Sequence, residues 1–230
     1  MTVRNVVLVH GAWADGSSWS KVIRILQAKG LHVVAVQNPL TSLAEDVATT
    51  RRAIALQDGP VLLVGHSYGG AVITEAGDDA KVAGLVYVAA FAPDEGEAVG
   101  GMGQDYPPTP GQAEVRPDAA GFLSLTTKGI AEDFAQDLPD EHKRLLAATQ
   151  GPTAGAAFGA KITCAAWRTK PSWYVVAQSD RMIAPAFEAA MAKKIGATTT
   201  SVAASHAVML SQAAEVSRVI LEAARDVPGK

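Results

Sequence analysis

The stretch Val61-Leu-Leu-Val-Gly-His-Ser-Tyr-Gly-Gly70 decides the fold of this chain. Its first four residues form an apolar run of strand length, and the residues from Ala71 onward have helical character. Gly65, Ser67 and Gly69 form a G-x-S-x-G motif, typical of a sharp strand-to-helix turn that presents a nucleophilic serine. Side chains at the two glycines would collide, so the motif predicts a strained Ser67 at a helix N-terminus. The alternative is a glycine-rich turn with an incidental serine.

Strand-like and helix-like segments alternate on both sides of this turn. The predicted strands are 3–9, 31–36, 61–64, 82–90, 173–177 and 199–203. The predicted helices are 16–29, 43–56, the segment from 71 onward, 185–194 and 207–224. Repeated strand–helix–strand order implies parallel strands with helices on both faces. We therefore predict an α/β fold with a mostly parallel, doubly wound sheet of about six strands.

The alternation stops between Pro93 and Pro171, where the chain is rich in Gly, Pro and Ala. A structureless loop of that length is uncommon inside a compact domain, so we predict an inserted helical cap. Its candidate helices are 119–125, 129–136 and 140–149. The predicted domain organisation is a core formed by residues 1–93 and 171–230, with the cap formed by residues 94–170.

Composition excludes several classes of protein. The 230 residues are 48% hydrophobic, which is enough to fill a core, and the net charge of −3 lacks the basic excess of nucleic-acid binders. The single cysteine, Cys164, excludes an intrachain disulfide framework and a cysteine zinc cluster. No run approaches the roughly 20 apolar residues of a membrane span, and the N-terminal apolar run is too short for a secretory signal. We therefore expect no membrane partner and a cytoplasmic location.

The segment His10-Gly-Ala-Trp13 follows the first strand and predicts the loop that would complete an oxyanion hole. We expect the Ala12 amide to act with the Tyr68 amide as donors, with Trp13 as the alternative to Ala12. The side chains of Trp13 and Tyr68 are the best candidates for contacting substrate. His10 is expected to steady the loop by hydrogen bonding. The simpler interpretation is that Gly11 only makes a turn.

His206 is the predicted general base, because imidazole titrates near neutral pH and this residue follows the last short strand. Loops at the carboxyl edge of an open α/β sheet are where ligand chemistry concentrates. The alternative is a histidine that only caps the last helix. The other four histidines lie in the two motifs, at the start of a strand and in the cap: His10, His66, His32 and His142.

Asp180 is the predicted acid that orients the imidazole, since it follows the strand 173–177. The chain order is then Ser67, Asp180, His206, which is the order typical of the nucleophile-elbow fold. Asp94, which follows the fourth strand, remains the rival. Asp180 could instead be a surface aspartate paired with Arg181.

Together these motifs resemble the α/β-hydrolase superfamily in type and order. They are the loop 10–13, GHSYGG at 65–70, SDRMIAP at 179–185 and SHAVMLSQ at 205–212. The chain is most similar to small esterases of the plant methylesterase and hydroxynitrile lyase type and their bacterial relatives. The resemblance implies a cofactor-free and metal-free enzyme, with Ser67, Asp180 and His206 as the triad. It also implies Ala12 and Tyr68 as oxyanion donors and a short cap over the serine.

At two positions the sequence differs from enzymes of the same superfamily, and each difference argues against one kind of activity. Ala207 stands where hydroxynitrile lyases similar to the rubber-tree enzyme have a lysine, which argues against cyanohydrin cleavage. Ser67 stands where epoxide hydrolases and haloalkane dehalogenases have an aspartate. We predict a serine carboxylesterase for a small, largely uncharged ester. A lactonase, thioesterase, C–C hydrolase or lyase with the same triad, and a non-catalytic receptor, remain open, and a homodimer is compatible with the sequence.

The cap also supplies apolar side chains that either line a substrate pocket or simply form the core of the cap. These candidates are Met102, Tyr106, Phe122, Leu123, Phe134 and Phe158.

Overall fold

Residues 3–227 are described by a computed structural model of the protein. The outermost residues of the two predicted core ranges, 1–2 and 228–230, lie outside the described part. The strands are β1 (Asn5–Val9), β2 (His32–Ala35), β3 (Val61–His66), β4 (Val82–Val88), β5 (Val115–Pro117), β6 (Phe122–Leu125), β7 (Thr153–Ala154), β8 (Ser172–Ala177) and β9 (Thr198–Val202).

Nine α-helical segments connect or flank these strands within residues 3–227. They are α1 (Ser20–Ala28), α2 (Leu43–Ala55), α3 (Gly69–Ala76), α4 (Thr127–Gly129), α5 (Asp140–Thr149), α6 (Gly155–Gly159), α7 (Pro185–Lys194), α8 (Val208–Ser211) and α9 (Ala213–Asp226). A π-helical turn, Ile130–Phe134, continues α4 directly. The short segment Gly16–Trp19 before α1 is a 3₁₀-helix.

The main sheet has six strands in the order β2-β1-β3-β4-β8-β9, and every neighbouring pair is parallel. The predicted parallel sheet of about six strands is therefore confirmed. The chain order reverses direction between β1 and β3, and ligands of open α/β sheets bind at the carboxyl ends of strands at such a point. The loop 10–13 and the turn at Ser67 both start there.

Alternate side chains of the strands enter two separate cores, one on each face of the sheet. Val7 of β1 and Leu63 of β3 pack with α2, α3 and α7, whereas Val6 and Leu62 pack with α1 and α9. This division follows from the two-residue period of a strand, because successive side chains point to opposite faces. The apolar strands are buried on both faces, as their composition predicted.

The cap contains a sheet that the sequence interpretation missed. Strands β5, β6 and β7 form a three-stranded antiparallel sheet, so the predicted helix 119–125 is wrong. Gly121 has φ of +82°, which a right-handed helix does not allow, and the Asp118 carboxylate accepts hydrogen bonds from the amides of Ala120 and Phe122. That local turn replaces the helix and starts β6. The predicted helix 140–149 is confirmed as α5.

No helix among residues 3–227 combines the length and the apolar character that crossing a bilayer requires. The predicted cytoplasmic location, the core and cap boundaries and the homodimer stay predictions.

Candidate active site

Ser67 lies in a strained turn between β3 and α3. Its φ is +53°, in the left-handed region that non-glycine residues rarely adopt. A Cβ added to Gly65 would lie 2.5 Å from the Gly69 carbonyl oxygen, and one added to Gly69 would lie 2.6 Å from the Val9 carbonyl oxygen. Neither position has room for a side chain. The structure therefore shows the steric constraint that the motif predicted, because both positions require glycine.

His10 holds the loop that faces this turn. The Asn38 amide donates a hydrogen bond to His10 Nε2 at 2.9 Å, so Nδ1 carries the proton and donates to the Gly11 carbonyl at 2.8 Å. Asn38 Nδ2 also donates to the His10 carbonyl at 2.9 Å. Burial lowers the pKa of His10, which keeps the ring neutral and suits it to this tautomer. The expectation that His10 steadies the loop is confirmed.

The backbone amides of Ala12 and Tyr68 belong to the two turns that meet at the switch in strand order. Within residues 3–227, neither amide donates a hydrogen bond to a protein acceptor. Ala12 and Ser67 line one common cavity, and Tyr68 immediately precedes the first residue of α3. The Tyr68 amide lies at the N-terminus of α3, where a donor without a protein acceptor can bind an anion.

The Tyr68 side chain does not line this cavity, so the structure gives no support to the predicted substrate contact through its ring. The ring is fully buried, and its hydroxyl donates a 2.8 Å hydrogen bond to Asp46 on α2. The other Asp46 oxygen accepts from the Leu40 amide at 2.8 Å. Burial and the neighbouring Asp46 charge raise the pKa of Tyr68, and burial raises the pKa of Asp46. This pair fixes the segment after Ser67 against α2.

Trp13, in contrast, lines the cavity as predicted for a substrate contact. Its φ is +59°, and its indole Nε1 donates a 2.9 Å hydrogen bond to the Leu123 carbonyl of the cap. The indole also packs against Phe158, with ring centroids 5.9 Å apart. A bulky residue in this backbone conformation persists only where the surroundings enforce it. Trp13 therefore joins the loop after β1 to the cap.

His206 and Asp180 are joined directly, as the sequence predicted. His206 Nδ1 lies 2.5 Å from Asp180 Oδ2, and both side chains are fully buried or nearly so. Asp180 Oδ1 accepts hydrogen bonds from the amides of Met182 at 2.6 Å and Ile183 at 2.9 Å. Three N–H groups thus hold the Asp180 carboxylate in one orientation.

The rival carboxylate, Asp94, has a different partner. Arg168 forms a two-pronged ion pair with it, with Nε to Oδ1 at 2.9 Å and Nη2 to Oδ2 at 2.7 Å. These hydrogen bonds lower the pKa of Asp94. Asp180, with its buried contact to His206, is also not the surface aspartate paired with Arg181 that the simpler interpretation proposed. Arg181 Nε instead donates to Asp133 Oδ1 at 2.7 Å.

His66, next to Ser67 in the chain, is buried behind His206. Its Nε2 donates a 2.9 Å hydrogen bond to the His206 carbonyl, which leaves Nδ1 without a proton. The rings of His66 and His206 lie 4.6 Å apart, and Phe134 packs edge-on against both. Burial and the His206 charge lower the pKa of His66 well below its usual range. His66 is therefore a neutral support for the His206 backbone.

The cap segment 133–137 holds both loops that carry Asp180 and His206. Asp137 accepts from the Ser205 amide at 2.8 Å and from its hydroxyl at 2.5 Å. Gln136 Nε2 donates to the Ser179 carbonyl at 2.6 Å, and the Ala207 amide donates to the Phe134 carbonyl at 3.0 Å. Neither loop is therefore positioned by the main sheet alone.

Ser67 and His206 line one cavity of about 310 Å³ between the sheet edge and the cap. Among the described residues around it there is no aspartate, glutamate, lysine or arginine. The polar side chains at its wall are Ser67, Tyr106, Thr109, Gln112 and His206. The volume lies at the lower end for small-molecule sites, and the wall is mainly apolar, so the cavity suits a small uncharged molecule.

Four of the six cap side chains proposed as pocket walls line this cavity: Met102, Tyr106, Leu123 and Phe158. Phe134 is buried against the histidine rings instead, and Phe122 does not line the cavity. Sequence reasoning missed several lining residues, which are Phe91, Val99, Met182, Ile183 and Phe187. Met182 and Ile183 directly follow the Asp180 loop, so their position in the motif was an available signal.

Comparison with known proteins identifies the family. The model of the alpha/beta hydrolase family matches residues 6–219, nearly the whole chain. The chain belongs to the alpha/beta hydrolase family. The resemblance predicted from the motifs is confirmed, and with it the fold and an enzyme of the hydrolase class.

Curated relatives carry hydrolase and esterase names. The chain is 26% identical to the alpha/beta hydrolase nvfD of Aspergillus novofumigatus over 209 residues, covering 82% of this chain and 83% of the relative. It is 35% identical to a carbendazim hydrolyzing esterase of a Nocardioides species over 111 residues, covering 41% and 45%. It is also 35% identical to methylesterase 7 of Arabidopsis thaliana over 108 residues, covering 40% and 41%.

Solved structures share the fold over almost the full length. Polyneuridine aldehyde esterase superposes with a TM-score of 0.82 at 20% identity, covering 96% of this chain and 99% of that chain. A pyrethroid hydrolase from Sphingobium faniae superposes with a TM-score of 0.82 at 23% identity, covering 97% and 98%. At these identities the similarity establishes the fold alone.

Proposed function

We propose that this protein is a serine carboxylesterase that cleaves a small, largely uncharged ester through an acyl-enzyme. The proposal rests on one observation. Ser67 and His206 line the same mainly apolar cavity, and Asp180 is hydrogen-bonded to His206 Nδ1. Relatives named methylesterase and carbendazim hydrolyzing esterase support the same class of reaction.

The mechanism assigns one step to each group. Because Asp180 engages His206 Nδ1, Nε2 is free to remove the Ser67 proton as the serine oxygen attacks the ester carbonyl. The amides of Ala12 and Tyr68 stabilise the tetrahedral oxyanion. His206 then protonates the leaving alcohol, and the acyl group stays on Ser67. Water, activated by the same imidazole, attacks the acyl-enzyme and releases the acid.

The cavity wall supports the proposed substrate class. A carboxylate or ammonium group placed there would lose its hydration without gaining an opposite charge, since the lining has none. Trp13, Phe91 and Phe158 provide aromatic surface for the acyl or alcohol group. The substrate is therefore an ester with compact, apolar substituents.

The test is hydrolysis of p-nitrophenyl acetate and butyrate by the wild type and Ser67→Ala. We expect turnover with an acyl burst in the wild type, and a loss of about a thousand-fold or more in Ser67→Ala. A protein that binds esters tightly without burst or turnover would instead be a receptor, and the proposal would be wrong.

Substrate charge provides a second prediction. The p-nitrophenyl monoester of succinic acid matches the butyrate ester in chain length but adds a carboxylate. We expect its kcat/KM to be at least about 10-fold lower, because the carboxylate is desolvated without a partner. Equal rates for the two esters would contradict the assignment of an uncharged substrate.

A further inference from the structure

Glu188 is a fully buried carboxyl group on α7, the helix that follows the Asp180 loop. Its Oε2 accepts a 2.9 Å hydrogen bond from the amide of Ala177, the last residue of β8. Its Oε1 is buried and has no hydrogen-bond donor among residues 3–227. The Asp180 carboxyl, three residues after Ala177 in the chain, is close enough to raise the pKa of Glu188. Nothing in the triad mechanism uses this group.

Two carboxyl groups in contact and out of water cannot both carry a charge, so one of them must hold a proton. Asp180 receives three N–H hydrogen bonds, from His206, Met182 and Ile183, whereas Glu188 receives one. N–H donors stabilise an ionised carboxylate, and the excess of two donors favours the charge on Asp180. The proton therefore resides on Glu188.

The surroundings of Glu188 agree with this assignment. Burial, the Asp180 charge and the hydrogen bond with Asp180 raise the pKa of Glu188 well above its usual range. The titratable groups that interact with it are Asp180 in the loop and Tyr174 on β8, and neither is a cation. Tyr174 directs its hydroxyl to the Ala90 carbonyl and so is not a donor to Glu188.

A proton on Oε1 also satisfies every polar atom of Glu188. Oε2 keeps the Ala177 amide as its donor, which leaves the unpartnered Oε1 to carry the hydroxyl that can donate to the neighbouring Asp180 carboxylate. An ionised Glu188 would leave a buried oxygen without a partner next to another charge, which is the more costly arrangement.

We propose that Glu188 is a positioning residue of the site: a neutral carboxylic acid whose Oε1 hydroxyl donates a hydrogen bond to Asp180 and holds that carboxylate against His206. The kinetic consequence of this inference rests on the proposed esterase function, whereas the protonation state does not. Asp180 is thereby held from two sides, by the amides of its own loop and by α7.

The decisive variants are Glu188→Gln and Glu188→Met. Glutamine retains an acceptor for the Ala177 amide and an N–H donor for Asp180, whereas methionine fills a similar volume without a donor. Glu141→Met is the control, because it makes the same glutamate-to-methionine substitution at an exposed position on cap helix α5. Circular dichroism and thermal unfolding establish that each variant is folded.

We expect Glu188→Met to lower kcat for p-nitrophenyl butyrate by about 10-fold to 100-fold, the usual effect of losing a hydrogen bond to a charged group. KM should stay within about 2-fold, since Glu188 does not line the cavity. Glu188→Gln should retain kcat within about 3-fold. Equal kcat values for the Met variant and the wild type, or a Gln variant as slow as the Met variant, would overturn the positioning role.

Carbon-13 NMR of the Glu188 carboxyl supplies a readout that does not depend on turnover. We expect the chemical shift of a neutral acid at pH 7, and a shift of the His206 Nδ1 proton resonance in Glu188→Met but not in Glu141→Met. An ionised Glu188 at pH 7 would overturn the inference even if the enzyme is an esterase. A neutral Glu188 in a protein without ester turnover would instead leave the inference intact and refute the proposed function.

Discussion

Asp180 and Asp94 each follow a strand of the parallel sheet, yet only Asp180 contacts an imidazole. Asp94 is occupied by Arg168, whose side chain is about half exposed. A surface pair of this kind contributes little to stability, whereas the buried contact between Asp180 and His206 orients a proposed catalytic base.

Asp180→Asn and Asp94→Asn form a matched pair for the acid assignment. Asparagine at 180 cannot stabilise an imidazolium, so we expect kcat to fall by about a thousand-fold or more. Asp94→Asn should stay within about 2-fold, because it loses only an exposed ion pair. Steady-state kinetics with p-nitrophenyl butyrate measure both. A larger loss in Asp94→Asn would show that the acid is assigned to the wrong residue.

The glycines of the elbow make a second prediction about single residues. Gly69→Ala places a methyl group 2.6 Å from the Val9 carbonyl oxygen, so we expect the free energy of unfolding to fall by about 2 kcal/mol. Gly159→Ala is the control, because its added Cβ meets no atom within 4 Å. Urea unfolding measures both variants. Equal stability of the two would mean that the elbow is less tightly packed than the structure shows.

The short segment 133–137 connects the cap to the two loops that carry Asp180 and His206. It begins in a π-helical turn, a feature that occurs often at functional sites. Asp137 is hydrogen-bonded to the loop before His206, and Gln136 is hydrogen-bonded to the loop before Asp180. Asp133 accepts a hydrogen bond from Arg181. The cap therefore also positions the loop that carries the proposed base, His206.

Asp137→Ala tests this connection. Ser205 is fully buried and would lose the acceptor for both its amide and its hydroxyl, so we expect the His206 loop to loosen and kcat/KM to fall by about 10-fold. Asp58→Asn, at an exposed site away from the cavity, serves as the control. An unchanged kcat/KM in Asp137→Ala would show that the loop keeps its position without the cap.

Buried titratable groups give the molecule as a whole a dependence of stability on pH. His10 and His66 have lowered pKa values in the folded state, so the unfolded chain binds more protons below about pH 6.5, the ordinary pKa of histidine. Their contribution to stability is complete above that pH and is lost as the pH falls. Asp46 and Glu188 have raised pKa values in the folded state. Their contribution to the free energy of unfolding is therefore present at low pH and is lost as the pH rises.

Comparison of His66→Gln with the wild type isolates one of these contributions. Glutamine retains an N–H donor for the His206 carbonyl but does not titrate. Between pH 7 and pH 5 we expect the wild type to lose about 1–2 kcal/mol more of its unfolding free energy than the variant. His142→Gln on α5 is the control, and urea unfolding at both pH values is the measurement. Parallel losses in the wild type and His66→Gln would contradict a neutral buried His66.

The features predicted from the sequence are those encoded by nearby residues. The G-x-S-x-G turn depends on contacts within a few residues, and the parallel sheet follows from apolar strands that alternate with helices. The helix α5 was predicted at its observed bounds for the same reason. The cap sheet was missed because its strands are short and β6 pairs with β7, which lies about 30 residues further along the chain.

By itself, then, the sequence determined the family, the sheet, the elbow and the candidate residues Ser67, Asp180 and His206, because motif spacing and local periodicity carry that information. Only the tertiary structure decided that Asp180 contacts His206 while Asp94 contacts Arg168, and that the Tyr68 ring turns away from the cavity toward Asp46. The physical reason is distance along the chain. Which side chain meets which across the fold depends on packing of the complete core, and no local pattern records it.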